Sequence, residues 1–405
     1  MPWQHSGAQF KRTWPICHDR HTLEVRWQAL LRSADKKNAF KETRDRKIGK
    51  SYYPLRPGDP LEKSIALLPP GARPPVVERY AYRSFDRQWI FADSRLGDFL
   101  RPDLWRRHGP MQVYLATSIA LALGQGPALT AAGRIPDIHY FAGRGGKDII
   151  PLYRNADANE GNLLPGLLDI LSSTYGWETT PEDFLAYLYG ALAQPAFTKQ
   201  FAKGLATCEL RVPITKDFHL FQRVRDVGAK LLWLHTYCER LVPTGSKPGH
   251  VPPGRTKCVK PVPSDSDGYP ESFDYNEATQ TLHIGEGEFR PVSSEVFEFE
   301  VSGLKVVQSW LNYRMKKGAG KKSSPLDNIR PERWSGQFTT DLLELLWVLD
   351  ATVAGYPEQA NLLAAVVAGP CFKSEELPEV PEQTRTPAGR LTPQDEQQKD
   401  LFQDQ

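Results

Sequence analysis

The sequence predicts an α+β protein in which a β-rich module precedes a small helical bundle, followed by a further β-hairpin with helices. Two observations predict this order. Short strand-like runs separated by turn residues fill residues 76–152, and apolar residues at helical spacing replace them over residues 163–241. With 405 residues, of which 40% are hydrophobic, the chain is long enough to bury several cores.

The first 75 residues are predicted to form one or two helices and a connector. Leu23, Trp27, Leu30 and Leu31 recur at helical spacing. The following KKNAFKETRDRK is polar on nearly every side and fits either an exposed helix or a basic arm. Residues 51–75 are rich in proline and glycine, which is typical of an irregular connector.

The β-rich module is predicted from six runs: VVERYAY, QWIFAD, MQVYLAT, PALTAA, DIHYF and DIIPLY. Only residues 101–108 could form a helix between them. Because parallel strands need long helical crossovers, this spacing favours a mostly antiparallel sheet.

Helix-start signals mark the bundle. Thr180 is an N-cap, followed by proline at the first helical position and Asp183 at the third. Pro195 starts a second helix, and Asp217 caps a third that is predicted to run to about Leu241.

The C-terminal third is predicted to begin with a linker. TQTLHIGEGEFRPV then reads as a hairpin around Gly-Glu-Gly, EVFEFEVSG as a third strand, and residues 304–316 and 340–353 as helices. The predicted segments are 1–50 (helical junction), 51–75 (connector), 76–160 (β-rich module), 161–241 (helical bundle), 242–270 (linker), 271–365 (β-hairpin plus helices) and 366–405 (disordered tail).

The charge is unevenly distributed. The net charge is only +3, but residues 1–110 contain 22 Lys and Arg against 12 Asp and Glu. A basic block is the expected footprint of a surface for a polyanion, although it also fits a solvated face. No run of eighteen apolar residues and no signal-peptide pattern occurs, so we expect a cytoplasmic protein that does not enter a membrane. The five cysteines show no metal-binding spacing, which favours free thiols in a reducing compartment.

Catalytic motifs are not found. FAGRGGKDI matches neither a P-loop nor a dinucleotide-binding fingerprint, and it is better interpreted as a turn that presents Arg144 and Lys147. None of the nine histidines lies in a metalloprotease-type motif, and no GxSxG is present. His139 is the histidine most suited to face a ligand, because it lies on a predicted strand beside this basic turn. The sequence therefore predicts no catalytic residue, metal site or cofactor in this chain.

The densest combination of charge and aromatic rings is YRSFDRQWIFADSRL, residues 82–96. Arg83, Arg87 and Arg95 alternate there with aromatic residues, and Arg106 and Arg107 follow shortly after. A packed hairpin with salt-bridged edges, an enzyme site and a nucleic-acid surface would each explain this composition.

The order of motifs resembles a known family. YRSFDRQWIFADSRL, RPDLW, PDIHYFAGRGGKDIIPLY, TPEDFLAYLYGALAQPAF, RVPITKDFHLF, LLWLHTYCERL and FEFEVSGLKVVQSWLNYR are similar to the C-terminal specificity region of type ISP restriction-modification enzymes. The resemblance covers about residues 3–353, beginning at WQHSGAQFKRTWPI, which looks like the junction after a methyltransferase core. It implies that this chain recognises double-stranded DNA, while the nuclease, ATPase and adenine-N6 methyltransferase parts of the family are not in it.

If the resemblance holds, S-adenosylmethionine, ATP and Mg²⁺ act in those other parts, which a separate chain could supply. Two alternatives stay open: a module that docks on a methyltransferase subunit, and a part of an active adenine-specific methyltransferase. The candidate DNA contacts are Arg83, Arg87, Arg95, Arg106, Arg107, His139, Arg144 and Lys147, with Lys216 and Lys316 as weaker backbone contacts.

Overall fold

The computed structural model describes residues 1–119, 121–143, 145–208, 210–316 and 323–381. It confirms the predicted α+β class, with antiparallel sheets and helices in separate stretches of the chain. Arg144 and residues 382–405, the greater part of the predicted disordered tail, lie outside the described residues.

Most strands of the first 160 residues belong to two sheets. The elements in chain order are β1 (His5–Ser6), β2 (Ile16–Cys17), α1 (Arg20–Arg32), α2 (Lys36–Phe40), β3 (Val77–Arg83), β4 (Asp86–Phe91), α3 (Pro102–Trp105), β5 (Tyr114–Thr117), β6 (Thr130–Ala132) and β7 (Asp148–Pro151). One sheet has the order β2-β4-β3 and the other β1-β7-β5-β6. Every pairing between these strands is antiparallel, as predicted.

The helical bundle follows the capping signals in the sequence. It contains α4 (Leu167–Tyr175), α5 (Pro181–Leu192), α6 (Pro195–Gln200), α7 (Ala202–Ala206) and α8 (Phe218–His235). The capping box at Thr180 and the Asp217 cap of α8 are both formed, which confirms these two starts. Helix α8 ends at His235, six residues before the predicted end, because Tyr237 and Cys238 adopt the left-handed conformation.

A close approach of α5 and α8 holds the bundle together. A Cβ atom on Gly228 would lie 1.8 Å from the Ala186 carbonyl oxygen. Only glycine fits there, since no side chain tolerates such a contact.

The C-terminal third adds a four-stranded sheet and one long helix. Its elements are β8 (Lys257–Lys260), β9 (Phe273–Asn276), β10 (Thr281–Ile284), β11 (Gly287–Arg290), α9 (Ser294–Phe297), β12 (Glu300–Val301), β13 (Leu304–Lys305), α10 (Val306–Arg314) and α11 (Gly336–Ala368). The predicted Gly-Glu-Gly hairpin is confirmed, with Ile284 opposite Gly287. The sheet order is β8-β11-β10-β9.

Three local predictions are wrong. EVFEFEVSG starts as helix α9, because the Ser293 side chain caps it by accepting a hydrogen bond from the Val296 amide. Asp137 forms a single bridge with Ala8 and residues 138–140 form a turn and not a strand, which places His139 in that turn. Residues 242–270 are more than a linker, since they contain β8 and bury Val251 and Val262 in the core.

Helix α11 joins two hydrophobic cores and is much longer than predicted. Leu342 and Leu346 pack in a core shared by the β3-β4 hairpin, the C-terminal sheet and α10. Past Pro357, Leu362 and Val366 pack in the core of the helical bundle. The helix continues through the proline because its apolar face stays buried on both sides.

The N-terminal helices form a third hydrophobic core with the hairpin sheet, and the segment after α11 contacts the helical bundle. Trp14, Trp27 and Phe40 pack against Phe91 of β4, so that the N-terminal helices cover one face of the hairpin sheet. Residues 366–381 run along the bundle, where Cys371 pairs with Thr215.

Candidate nucleic-acid interface

The three arginines of residues 82–96 point into the protein. Arg83 donates to Asp137 at 3.0 Å, Arg87 to Glu344 at 2.7 Å, and Arg95 to Asp93 at 2.5 Å. Their side chains are only 15%, 18% and 4% exposed. Each guanidinium is therefore neutralised inside the fold.

Aromatic rings complete these arginine sites. The Arg87 guanidinium lies 3.4 Å from the centroid of the Tyr237 ring, and that of Arg83 lies 4.1 Å from the Tyr82 ring. Asp86 on β4 accepts a 2.8 Å hydrogen bond from Arg314 of α10, and both side chains are almost fully buried. These contacts fasten the hairpin to α10 and α11.

The remaining sequence-based candidates are scattered. Arg107 is buried against the Trp3 ring and Arg106 is half-buried at the end of α3. Lys216 and Lys316 are partly exposed and face Glu376 and Glu271, at 2.6 Å and 3.8 Å. These four side chains do not form one surface with the hairpin arginines.

His139 and Lys147 lie on either side of the N-terminal strand. The His139 amide donates to Asp137 at 2.8 Å, and its Nδ1 is buried with no hydrogen-bond partner among the described residues. Lys147 is half-exposed, and its carbonyl accepts a 3.0 Å hydrogen bond from the Gly7 amide. Of the two, Lys147 presents a cation to solvent.

A strongly basic surface is formed by residues 36–50, which we call the basic segment. It contains seven Lys and Arg against two acids, Glu42 and Asp45. Glu42 is shared by Lys37 and Lys47 at 3.7 Å and 3.6 Å, and Asp45 is shared by Lys11 and Arg44. Because each acid is divided between two cations, the surface keeps a net positive charge.

Internal contacts anchor the basic segment. Thr43 donates to the buried carboxylate of Asp98, which also pairs with Arg12 at 2.9 Å. Arg46 is buried, donates to the Gly97 carbonyl and lies over the Tyr53 ring. The exposed cations of the segment therefore extend from a fixed backbone.

A line of cations, which we call the cationic track, runs from Lys147 past Arg101 and Lys11 to Arg44. Arg101 reaches the carbonyl of Gly7 at 3.4 Å, and Gly7 is the residue that pairs with Lys147. Arg101 and Lys11 both lie 5.2 Å from the Phe99 ring. Lys11 and Arg44 then share Asp45, so the track leads into the basic segment.

The N-terminal segment connects the members of the track. The Gly7 amide donates to the Lys147 carbonyl and the Gly7 carbonyl accepts from Arg101. Gly7 allows this strand to lie against residues 137–138, since a Cβ there would come within 2.6 Å of the Asp137 backbone. This close approach fixes the segment through which Lys147, Arg101 and Lys11 are connected.

Arg101 is the most unusual member of the track. It has a left-handed backbone, φ 59°, and is half-buried without a carboxylate partner among the described residues. Burial lowers the pKa of its guanidinium, a direction that shows a cation held without full compensation. An anion placed beside it would relieve that cost.

Sequence reasoning missed Lys11, Arg44 and Arg101 as individual contacts. Arg44 lies in the stretch already interpreted as an exposed helix or basic arm, so its signal was present. Lys11 and Arg101 join the track through Phe99 and Gly7, contacts that no local pattern indicates.

Among the described residues, no group of three or more His, Cys, Asp or Glu side chains is arranged to hold a metal ion. No helix in the described part of the chain combines the length and apolar character needed to cross a membrane.

Comparison with known proteins identifies the family. The family model of the type ISP C-terminal specificity domain matches residues 1–345. No protein with curated annotation matches the sequence significantly.

Two solved structures share the fold, each at 16% identity and a TM-score of 0.58. They are a cryo-EM DrdV–DNA complex and the ATP-dependent type ISP restriction-modification enzyme LlaBIII bound to DNA. The match covers 91% and 93% of this chain, and 36% of the DrdV chain and 23% of the LlaBIII chain. The chain belongs to the family of type ISP C-terminal specificity domains.

Proposed function

We propose that this chain recognises double-stranded DNA in a sequence-specific manner, as the specificity domain of a type ISP restriction-modification system. The observation that carries the proposal is the family match over residues 1–345, supported by the presence of DNA in both solved structures of similar fold. Adenine-N6 methylation and cleavage would be performed by domains outside this chain, with their S-adenosylmethionine, ATP and Mg²⁺. Such a system would act in the cytoplasm.

In this proposal the DNA backbone follows the cationic track and the basic segment. Lysine and arginine side chains at these positions would neutralise phosphates and release counterions, which supplies affinity without sequence information. The anchored backbone below them is already ordered, so that little backbone freedom is lost on binding.

The hairpin arginines take a different role in the proposal. Arg83, Arg87 and Arg95 are already bonded to carboxylates, and turning them toward DNA would leave Asp137, Glu344 and Asp93 unpaired in the interior. We therefore assign them to holding the hairpin, and Arg107 to packing on Trp3.

A binding experiment tests the proposal. The purified chain and a fluorescein-labelled random-sequence duplex are titrated by anisotropy between 50 and 200 mM KCl. We expect the affinity to fall by about 10³-fold or more over this range if six or more phosphates are contacted. Selection from a random duplex pool should then enrich one sequence motif.

No binding at 50 mM KCl, or an affinity that does not change with salt, would contradict the proposal. Capture of a methyltransferase subunit without any shift of the duplex would instead favour the docking-module alternative. Transfer of labelled methyl groups to DNA by the chain alone would favour the methyltransferase alternative.

A further inference from the structure

The loop between β5 and β6 carries an unusual exposed apolar tip. Ile119 is 39% exposed and Leu121 is 41% exposed. Ten large apolar side chains are exposed in the described part of the chain, and this loop alone holds two of them within three residues. The sequence from Ile119 to Gly124 is IALALG, which contains no polar side chain.

Hydrogen bonds fix both ends of the loop, which we call its first foot (residues 118–119) and its second foot (residues 124–126). At the first foot the Ile119 amide donates to Asp148 at 2.7 Å and the Ser118 hydroxyl accepts from the Gly146 amide at 2.8 Å. At the second foot the Gly124 amide donates to the Ser302 hydroxyl at 2.9 Å. Both ends of the loop are therefore bonded to the rest of the fold, and Ile119 and Leu121 between them keep their apolar side chains exposed.

The second foot is fastened to the bundle as well. Thr198 of α6 donates to the Gly126 carbonyl at 2.7 Å. Lys199, the next residue of α6, is exposed and has no ion-pair partner among the described residues. The nearby acid Glu300 is already paired with Lys305 at 3.2 Å.

A cation of the track lies beside the tip. Lys147 lies between Gly146 and Asp148, the two residues that bond to the first foot. Lys147 is also the first residue of the cationic track. An apolar tip beside Lys147, at the end of the cationic track, is complementary to DNA in both charge and chemistry.

We infer that Ile119 and Leu121 form an apolar base-contacting tip that packs against base pairs of the DNA whose backbone follows the cationic track. With no side-chain donor or acceptor, the tip can discriminate only by apolar contact, against a thymine methyl group or between base steps. This inference rests on the proposed function and deepens it, because it names the element that reads sequence.

The test compares an Ile119→Ser/Leu121→Ser double variant with the wild type on two probes, a random duplex and the duplex enriched by selection. We expect unchanged affinity for the random duplex and a loss of about tenfold or more in the preference for the selected duplex. Met111→Ser is the matched control: Met111 is 52% exposed, at the other end of β5, and should leave the preference unchanged.

The outcomes separate the two claims. A wild type that binds no duplex overturns the proposed function, and this inference with it. A double variant whose preference equals that of the wild type overturns the inference alone. An equal loss of affinity for both probes also overturns it, since the tip would then contribute to sequence-independent binding of the DNA backbone. Thermal melts, together with the milder variant Leu121→Ala, establish that the variants are folded.

Discussion

Residues 82–96 and the basic segment are both rich in cations, but the two regions compensate those charges differently. In the hairpin stretch each arginine has a carboxylate of its own within 3.0 Å and is mostly buried. In the basic segment, Glu42 and Asp45 are each shared by two cations at the surface. The number of carboxylates available to each cation, together with burial, distinguishes the two regions, and on this basis we propose the basic segment as the surface for a polyanion.

The two regions should respond differently to mutation. A buried ion pair adds little net stability, but removal of one partner leaves an uncompensated charge in the interior. Exposed cations contribute little to stability, and their loss changes the attraction for a polyanion.

The largest effect is expected from Asp86→Ala. This change leaves Arg314, whose side chain is 1% exposed, without its carboxylate. We expect the free energy of unfolding to fall by about 3–5 kcal/mol, measured by urea denaturation. Glu286→Gln, in the exposed pair with Lys260, is the matched control and should leave the urea midpoint unchanged. Equal midpoints for Asp86→Ala and the control would contradict the framework role.

Two buried histidines, His108 and His235, should make the stability of the fold depend on pH. Burial lowers the pKa of His235, which packs on the Phe85 ring, to about 3, and that of His108 likewise to about 3. The unfolded chain takes up these protons near pH 6.5 and the folded chain does not, so the contribution of each histidine to stability is constant at higher pH and declines as the pH falls through 6.5. We expect a loss of about 1.6 kcal/mol per histidine between pH 6.5 and pH 5, measured by urea denaturation.

His235→Gln checks this assignment. Its unfolding free energy should decline less steeply between pH 6.5 and pH 5 than that of the wild type. Parallel declines in the two proteins would show that His235 is not the source.

A smaller effect is expected from the basic segment. The triple variant Lys41→Gln/Arg44→Gln/Lys47→Gln removes three exposed cations and no buried contact. We expect the affinity for a duplex to fall by about tenfold or more, with an unfolding free energy within about 0.5 kcal/mol of wild type. Anisotropy titration and urea denaturation measure the two quantities. A variant with a lower free energy of unfolding would show that these cations support the fold. A variant with wild-type duplex affinity would show that they do not bind DNA.

The sequence predicts features whose causes are local. The capping box at Thr180 and the Gly-Glu-Gly hairpin depend on residues a few positions apart, and both form as predicted. The basic character of the first 110 residues was likewise visible in the composition.

Features set by distant contacts could not be predicted. Arg87 is separated by 257 residues from its partner Glu344, so its burial is invisible in the local pattern. The alternation of charged and apolar residues in EVFEFEVSG suggested a strand. The Ser293 cap and the burial of Val296 and Phe297 instead stabilise helix α9 at its start. Arg101 joins the cationic track only because Gly7 lets the N-terminal strand lie beside it.

The salt dependence of duplex binding tests the central claim most directly. In a plot of log affinity against log salt concentration, the wild type should have a negative slope. The variant Lys11→Gln/Arg101→Gln/Lys147→Gln should have a slope that is less steep by about 2.7, or about 0.9 for each lost phosphate contact. Arg87→Gln, which removes a framework arginine, should keep the wild-type slope. A wild-type slope in the triple variant, or a reduced slope in Arg87→Gln, would contradict the division between framework and track.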